Sequence, residues 1–119
     1  MTYNKTINIP IYISNDIVET IITTASEGGI HYWCDVVEEG EDSLSDGGTI
    51  KFDVEGTFHH ITIKKFMSGL QIYGERFAND LSIHRTKDGL SLTIDPGMID
   101  AEGADMIIQY ALWGEIRYS

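Results

Sequence analysis

Cysteine is nearly absent: Cys34 is the only one in 119 residues. A lone cysteine cannot close a disulfide within the chain, and this usage fits a reducing compartment. Basic residues are scarce too. Eight Lys and Arg stand against 19 Asp and Glu, a net charge of −11. A surface of that sign repels phosphate, which excludes direct nonspecific binding to nucleic acid or to an anionic membrane. No run approaches the roughly 18 apolar residues of a membrane-spanning helix. The start, "MTYNKTINIPIYISND", lacks the basic residues and following apolar run of a signal peptide. The expected location is therefore the cytoplasm. Missing as well are the phosphate-cradling patterns GxGxxG and GxxxxGK[ST], and the nucleophile pattern GxSxG.

What is present is enough for a core. Hydrophobic residues make up 42% of the chain, and the length suits one domain spanning residues 1–119. In "TINIPIYIS", Ile7, Ile9, Ile11 and Ile13 alternate, which predicts a strand, and Pro10 places it at a sheet edge. "SNDIVETIITTASEGG" predicts a helix. Ser14, Asn15 or Asp16 can cap it, and Ile17, Val18, Ile21, Ile22 and Ala25 form its apolar face, with Gly28 or Gly29 as the stop. "IHYWCDVV" reads as a strand with Ile30, Tyr32, Cys34 and Val36 on one side and His31, Trp33, Asp35 and Val37 on the other. An acidic loop, Glu38 to Gly48, follows. "GTIKFDVEGTFHHITI" reads as a hairpin turning near Glu55-Gly56, and "LSIHRTKDGLSLTI" as a second one turning near Gly89. Between them "KKFMSGLQIYGERF" predicts a short helix, and "DAEGADMIIQYALWG" predicts the last one, followed by a short, extended tail. The fold class is α+β: about five strands in a mainly antiparallel sheet, with three helices.

The last helix carries two apolar stripes at about 100° per residue. Ala101, Ala104, Ile107, Ile108, Ala111 and Leu112 make one. Met106, Tyr110 and Trp113 make the other, opposite it, and Glu102, Asp105 and Gln109 fill the arc between. Such a helix is either sandwiched inside the domain or presents a contact surface. Met, Tyr and Trp are frequent interface anchors, so a homodimer packed through this second stripe is expected.

Two segments together resemble a known group. "EGGIHYWCD", with Gly28, Gly29, Trp33, Cys34 and Asp35, is followed far along the chain by "ADMIIQYALWGEI". The second segment holds Ala104, Asp105, Ile107, Gln109, Tyr110, Ala111, Leu112, Gly114, Glu115 and Ile116. This order resembles small acidic proteins of phages and prophages of Gram-positive bacteria. The resemblance implies a phage accessory protein in a bacterial host cytoplasm, one that counters host defence, and it assigns no functional residue.

Catalysis finds little footing. A nucleophilic cysteine needs an electropositive setting, whereas Cys34 lies between Trp33 and Asp35 beside the acidic loop. His31, His59, His60 and His84 show no zinc-type spacing, and the adjacent His59 and His60 of a strand point to opposite faces. No catalytic residue, metal ligand or cofactor is expected, and "HYWCD" reads as packing. A small hydrolase or a metal-binding protein stays as a minor alternative.

Charge distribution suggests two functions. Residues 27–55 hold nine acids against Lys51 alone. Within them Asp35, Glu38, Glu39, Glu41, Asp42 and Asp46 make an acidic surface. Alternate residues of an extended chain repeat at about 6.5–7 Å, so Glu39 and Glu41 can imitate neighbouring phosphates. The first reading is thus a non-enzymatic inhibitor of the nucleic-acid-mimic or anti-CRISPR-like kind, whose partner is a basic nucleic-acid-binding host protein. The second is a sponge for a nucleotide signal of host defence. Lys64, Lys65, Arg76, Arg85 and Lys87 would take its phosphates, and Tyr73 and His84 would stack on its base.

Overall fold

Ser14 caps the first helix. Its side chain accepts a hydrogen bond from the Ile17 N–H at 3.3 Å and starts helix α1, Asn15–Thr24. The structure is a computed structural model, and it describes residues 4–119. Helix α1 buries Ile17, Val18, Ile21 and Ile22, the face its spacing predicts. It then widens into a π-helical turn over Ala25–Gly29, and the Ile30 N–H closes on the Ala25 carbonyl at 3.2 Å.

Three antiparallel strands follow: β1 (Val36–Glu39), β2 (Ile50–Val54) and β3 (Thr57–Ile61), in the order β1-β2-β3. The β2–β3 turn is Glu55-Gly56, with φ of 52° and 83°. Positive φ at both central positions is the turn geometry that matches strand twist. Along β2, Ile50, Phe52 and Val54 face the core and Lys51 and Asp53 face outward. Helix α2 (Ile63–Arg76) is capped by Thr62, whose hydroxyl accepts from the Lys65 N–H at 3.3 Å. A second sheet has two short strands, β4 (His84–Arg85) and β5 (Leu92–Thr93). Helix α3 (Ala101–Trp113) is capped by Asp100 and ends on Gly114 at φ 72°. The class is α+β, as predicted, with the strands divided between two antiparallel sheets. No helix among the described residues is long and apolar enough to cross a membrane.

Helix α3 is central. It buries Ala104, Ile107, Ile108, Tyr110 and Ala111, and also Asp105 and Gln109. It packs on α2 so closely that a Cβ on Gly69 would lie 2.6 Å from both the Ala111 nitrogen and the Ile107 carbonyl. Glycine has low helix propensity, yet α2 runs unbroken through Gly69. Gly69 permits the crossing.

Three local expectations are overturned. The segment predicted as an edge strand around Ile7–Ile13 makes only an isolated bridge, Ile11 beside Leu92, and leaves Ile7 82% and Ile9 58% exposed. Alternation supplied a face, but no sheet edge lies alongside the Ile7–Ile9 part. The predicted strand "IHYWCDVV" is a turn up to Asp35. The Trp33 and Cys34 N–H groups both bond the Ile30 carbonyl, at 3.1 and 2.9 Å, which buries Trp33 and Cys34 together and turns Tyr32 outward. The acidic loop starts later than expected, because Glu38 and Glu39 belong to β1.

Candidate functional site

The acidic residues come from one strand and one closed loop. Glu38 pairs with Lys51 across the β1–β2 ladder, and its carboxylate lies 3.2 Å from the lysine Nζ. Glu39 lies opposite Ile50, on the other face of the strand. After β1 the chain folds around buried Leu44, which is 2% exposed. Backbone bonds close this loop: the Gly40 N–H to the Thr49 carbonyl at 3.2 Å, and the Gly48 N–H to the Ser43 carbonyl at 2.9 Å. Ser43 donates its hydroxyl to Asp46 at 2.9 Å. Glu41, Asp42 and Asp46 are therefore exposed on an anchored loop, with Asp35 exposed at the start of β1. The loop is not extended, so the regular phosphate-like spacing expected of Glu39 and Glu41 does not hold beyond β1.

Helix α1 adds a carboxylate, Glu19. The Glu19 carboxyl is pushed above its usual range, first by burial and then by the negative charges of Glu39 and Asp46. Its Oε1 is buried without a hydrogen-bond partner. Acids from α1, β1 and the loop thus converge. Among the described residues the ion pairs are Lys51–Glu38 and Arg117–Glu115, so no cation neutralises the Glu19, Glu39 and Asp46 group.

The basic residues do not converge. Lys64 and Lys65 are exposed in the first turn of α2, and Lys65 donates to the His60 carbonyl at 3.3 Å. Arg76 lies at the other end of the same helix, with its guanidinium 5.3 Å from the Tyr110 ring centre. Arg85 donates to the Gly89 carbonyl at 3.1 Å, and the His84 ring bonds the Ser82 carbonyl at 2.9 Å. Lys87 sits exposed in the β4–β5 turn. Tyr73, expected to stack on a base, is core at 3% exposure. Burial and the charges of Asp80, Asp100 and Glu102 push its phenol up to about 12. A nucleotide pocket drawn from these residues has no common wall.

The second stripe of α3 is covered by the chain itself. Tyr110 is buried and Met106 and Trp113 are half-buried. The Trp113 ring centre lies 5.4 Å from Trp33, 5.6 Å from His59 and 5.8 Å from Tyr118. Of the stripe expected to pack a homodimer, Trp113 meets Trp33 and Tyr118 and Tyr110 meets Arg76 of α2, while Met106 and Trp113 stay half-buried.

A buried polar cluster holds these parts together. Asp105 Oδ1 accepts from the Trp33 indole N–H at 2.7 Å and from the Gln109 amide at 2.8 Å. Its Oδ2 accepts from the Tyr32 hydroxyl at 2.5 Å. Gln109 also donates to the Tyr118 carbonyl at 3.0 Å, and its own oxygen accepts from the Arg117 and Tyr118 N–H groups at 2.8 and 2.9 Å. The two segments carrying the phage-protein resemblance meet here, through Trp33 on one side and Asp105 and Gln109 on the other. Burial, then the Asp105 hydrogen bond and charge, push the Tyr32 phenol up to about 12. Cys34 is 1% exposed in the adjoining core. Among the described residues no group of three His, Cys, Asp or Glu side chains is placed to hold a metal ion.

Comparison of the chain with protein-family models, curated proteins and solved structures finds no match.

Proposed function

We propose that this protein is a non-enzymatic inhibitor that binds a basic, nucleic-acid-binding host protein through its acidic face. The face comprises Glu19, Glu39, Glu41, Asp42 and Asp46, with Asp35 beside it; Glu38, on the other face of β1, pairs with Lys51. One observation carries this reading. Burial first, and then the charges of Glu39 on β1 and Asp46 on the loop, make Glu19 on α1 keep its proton more tightly, with no ion pair to any of the three among the described residues. Like charges brought together oppose folding, and a basic partner relieves that repulsion. The loop that presents the acids is anchored by Leu44 and closed by backbone bonds, so little order has to be imposed on binding. The phage-protein resemblance makes host defence the setting in which such an inhibitor acts.

The test is capture from lysate of a Gram-positive host on immobilised protein, followed by a salt gradient. The captured partner should elute within a few tenths molar salt, as screening lengths fall below about 10 Å. Purified, that partner should lose its own DNA or RNA when the inhibitor is added. The combined variant Glu39→Lys, Glu41→Lys, Asp42→Lys and Asp46→Lys should fold and capture nothing, since exposed charges contribute little to stability. Capture of the same partner by the charge-reversed variant, or a partner that keeps its nucleic acid, would sink the reading.

A further inference from the structure

Beside the buried polar cluster lies a cavity of about 480 Å³. Gly28 and Gly29 form part of its lining, Tyr32, Tyr118, Met106 and Ile116 give it aromatic and apolar walls, and Asp105 and Glu102 are its acids. Among the described residues no Lys, Arg or His lines it. Gly29 is needed where the π-helical turn meets α3, since a Cβ there would lie 2.6 Å from the Ala101 carbonyl. At Gly29 the wall is therefore set by a close backbone approach.

Counting acceptor sites shows what the cavity lacks. A carboxylate offers about four lone-pair sites. Trp33 and Gln109 take both on Asp105 Oδ1, and Tyr32 takes one on Oδ2. One site remains, on the oxygen bonded by Tyr32, and both residues line the cavity. Asp105 is 5% exposed, and its three partners are all neutral. A buried carboxylate is ordinarily accompanied by a cation or a metal. Here three of four hydrogen-bond sites are filled by neutral groups, and among the described residues no ion pair supplies a countercharge. The raised Tyr32 phenol agrees, because the negative charges of Asp105 and Glu102 contribute to it.

We propose that this cavity binds an organic cation, a primary ammonium group on an alkyl stem. The ammonium would donate to the open site of Asp105 Oδ2 with Glu102 nearby, and its stem would lie along Met106 and Ile116. Tyrosine rings attract such a cation through their faces. A hard metal ion needs six or more oxygen ligands for calcium, or an octahedral set for magnesium, which two carboxylates and apolar walls do not supply. A free polyamine and a lysine side chain of another protein share this chemistry. The inference does not rest on the acidic-face reading, and it can hold or fail independently of it.

The test is titration of the whole protein with n-butylamine, followed at the indole N–H resonance of Trp33, with n-butanol as the neutral counterpart. Butylamine should shift that resonance saturably, and butanol should not. Glu102→Gln, at an exposed position of α3, should weaken the amine roughly two- to fivefold. Asp105→Asn, if folded, should weaken it tenfold or more. Spermidine and an N-acetyl-lysine amide form the second arm. Tighter binding of spermidine identifies a polyamine site, and tighter binding of the lysine derivative identifies a side-chain site. No shift with butylamine, equal response to butanol, or unchanged amine affinity in Glu102→Gln would each overturn the proposal.

Discussion

All four hydrogen-bonding sites of the Gln109 amide are occupied, although the residue is fully buried. That satisfaction is what allows a polar side chain inside a helix–tail junction. Gln109→Leu should therefore cost about 2–4 kcal/mol, because the Arg117 and Tyr118 N–H groups and one Asp105 acceptor site lose their partner. Urea unfolding measures it, and a loss below about 0.5 kcal/mol would show that other contacts hold the tail. Glu19 makes a different prediction. Its folded pKa lies above the ordinary glutamate value, so its contribution is fully present below that ordinary value and is lost as pH rises through the folded one. At neutral pH the charged form is penalised. Glu19→Gln should raise stability by roughly 0.5 kcal/mol at pH 7, a figure discounted for solvent screening, and by nothing near pH 4. Equal gains at both pH values would separate the effect from charge.

At the scale of elements, the glycines sort by what surrounds them rather than by where they stand in a helix. The pair Gly28-Gly29 looks like one stop signal, yet only Gly29 is crowded, while a Cβ on Gly28 meets nothing within 4 Å. Gly28→Ala should be neutral or slightly stabilising. Gly29→Ala and Gly69→Ala should each lose about 2–4 kcal/mol, despite Ala being the better helix former by about 1 kcal/mol. Thermal melts of the three variants decide it, and a tolerated Gly69→Ala would mean that α2 and α3 separate easily. The edge-strand segment shows the converse. Its isoleucines alternate correctly, but Ile7 and Ile9 are exposed, so Ile9→Ser should change stability by less than about 0.5 kcal/mol.

Across the whole molecule the charge balance dominates. A net charge of −11 is met by few ion pairs among the described residues, so self-repulsion opposes the compact state. The melting temperature should rise by a few degrees between low salt and roughly 1 M NaCl, where the screening length falls to about 3 Å. A melting temperature that falls with salt would mean the fold depends on attractive pairs instead. The charges of Glu39 and Asp46 add to that repulsion at Glu19.

Local pattern was sufficient for much of this. The cap at Ser14, the buried face of α1, the Glu55-Gly56 turn and the acidic balance follow from residues within a turn or two of one another, and the structure contains each of them. The acids of β1 and its loop were legible as a group for the same reason. Only the tertiary structure decided what α3 meets on its second side. Asp105 and Gln109 occupy the polar arc of that helix, and nothing nearby in sequence says that the arc is buried. Their partners Tyr32 and Trp33 lie more than 70 residues away, and the tail returns over them. Glu19 joins the acidic group for the same reason, by way of a strand and a loop that follow it. Helical and strand periodicity record which residues share a face. Whether that face meets water, a core or another charged group depends on the packing of distant elements, and a periodic pattern carries no information about it.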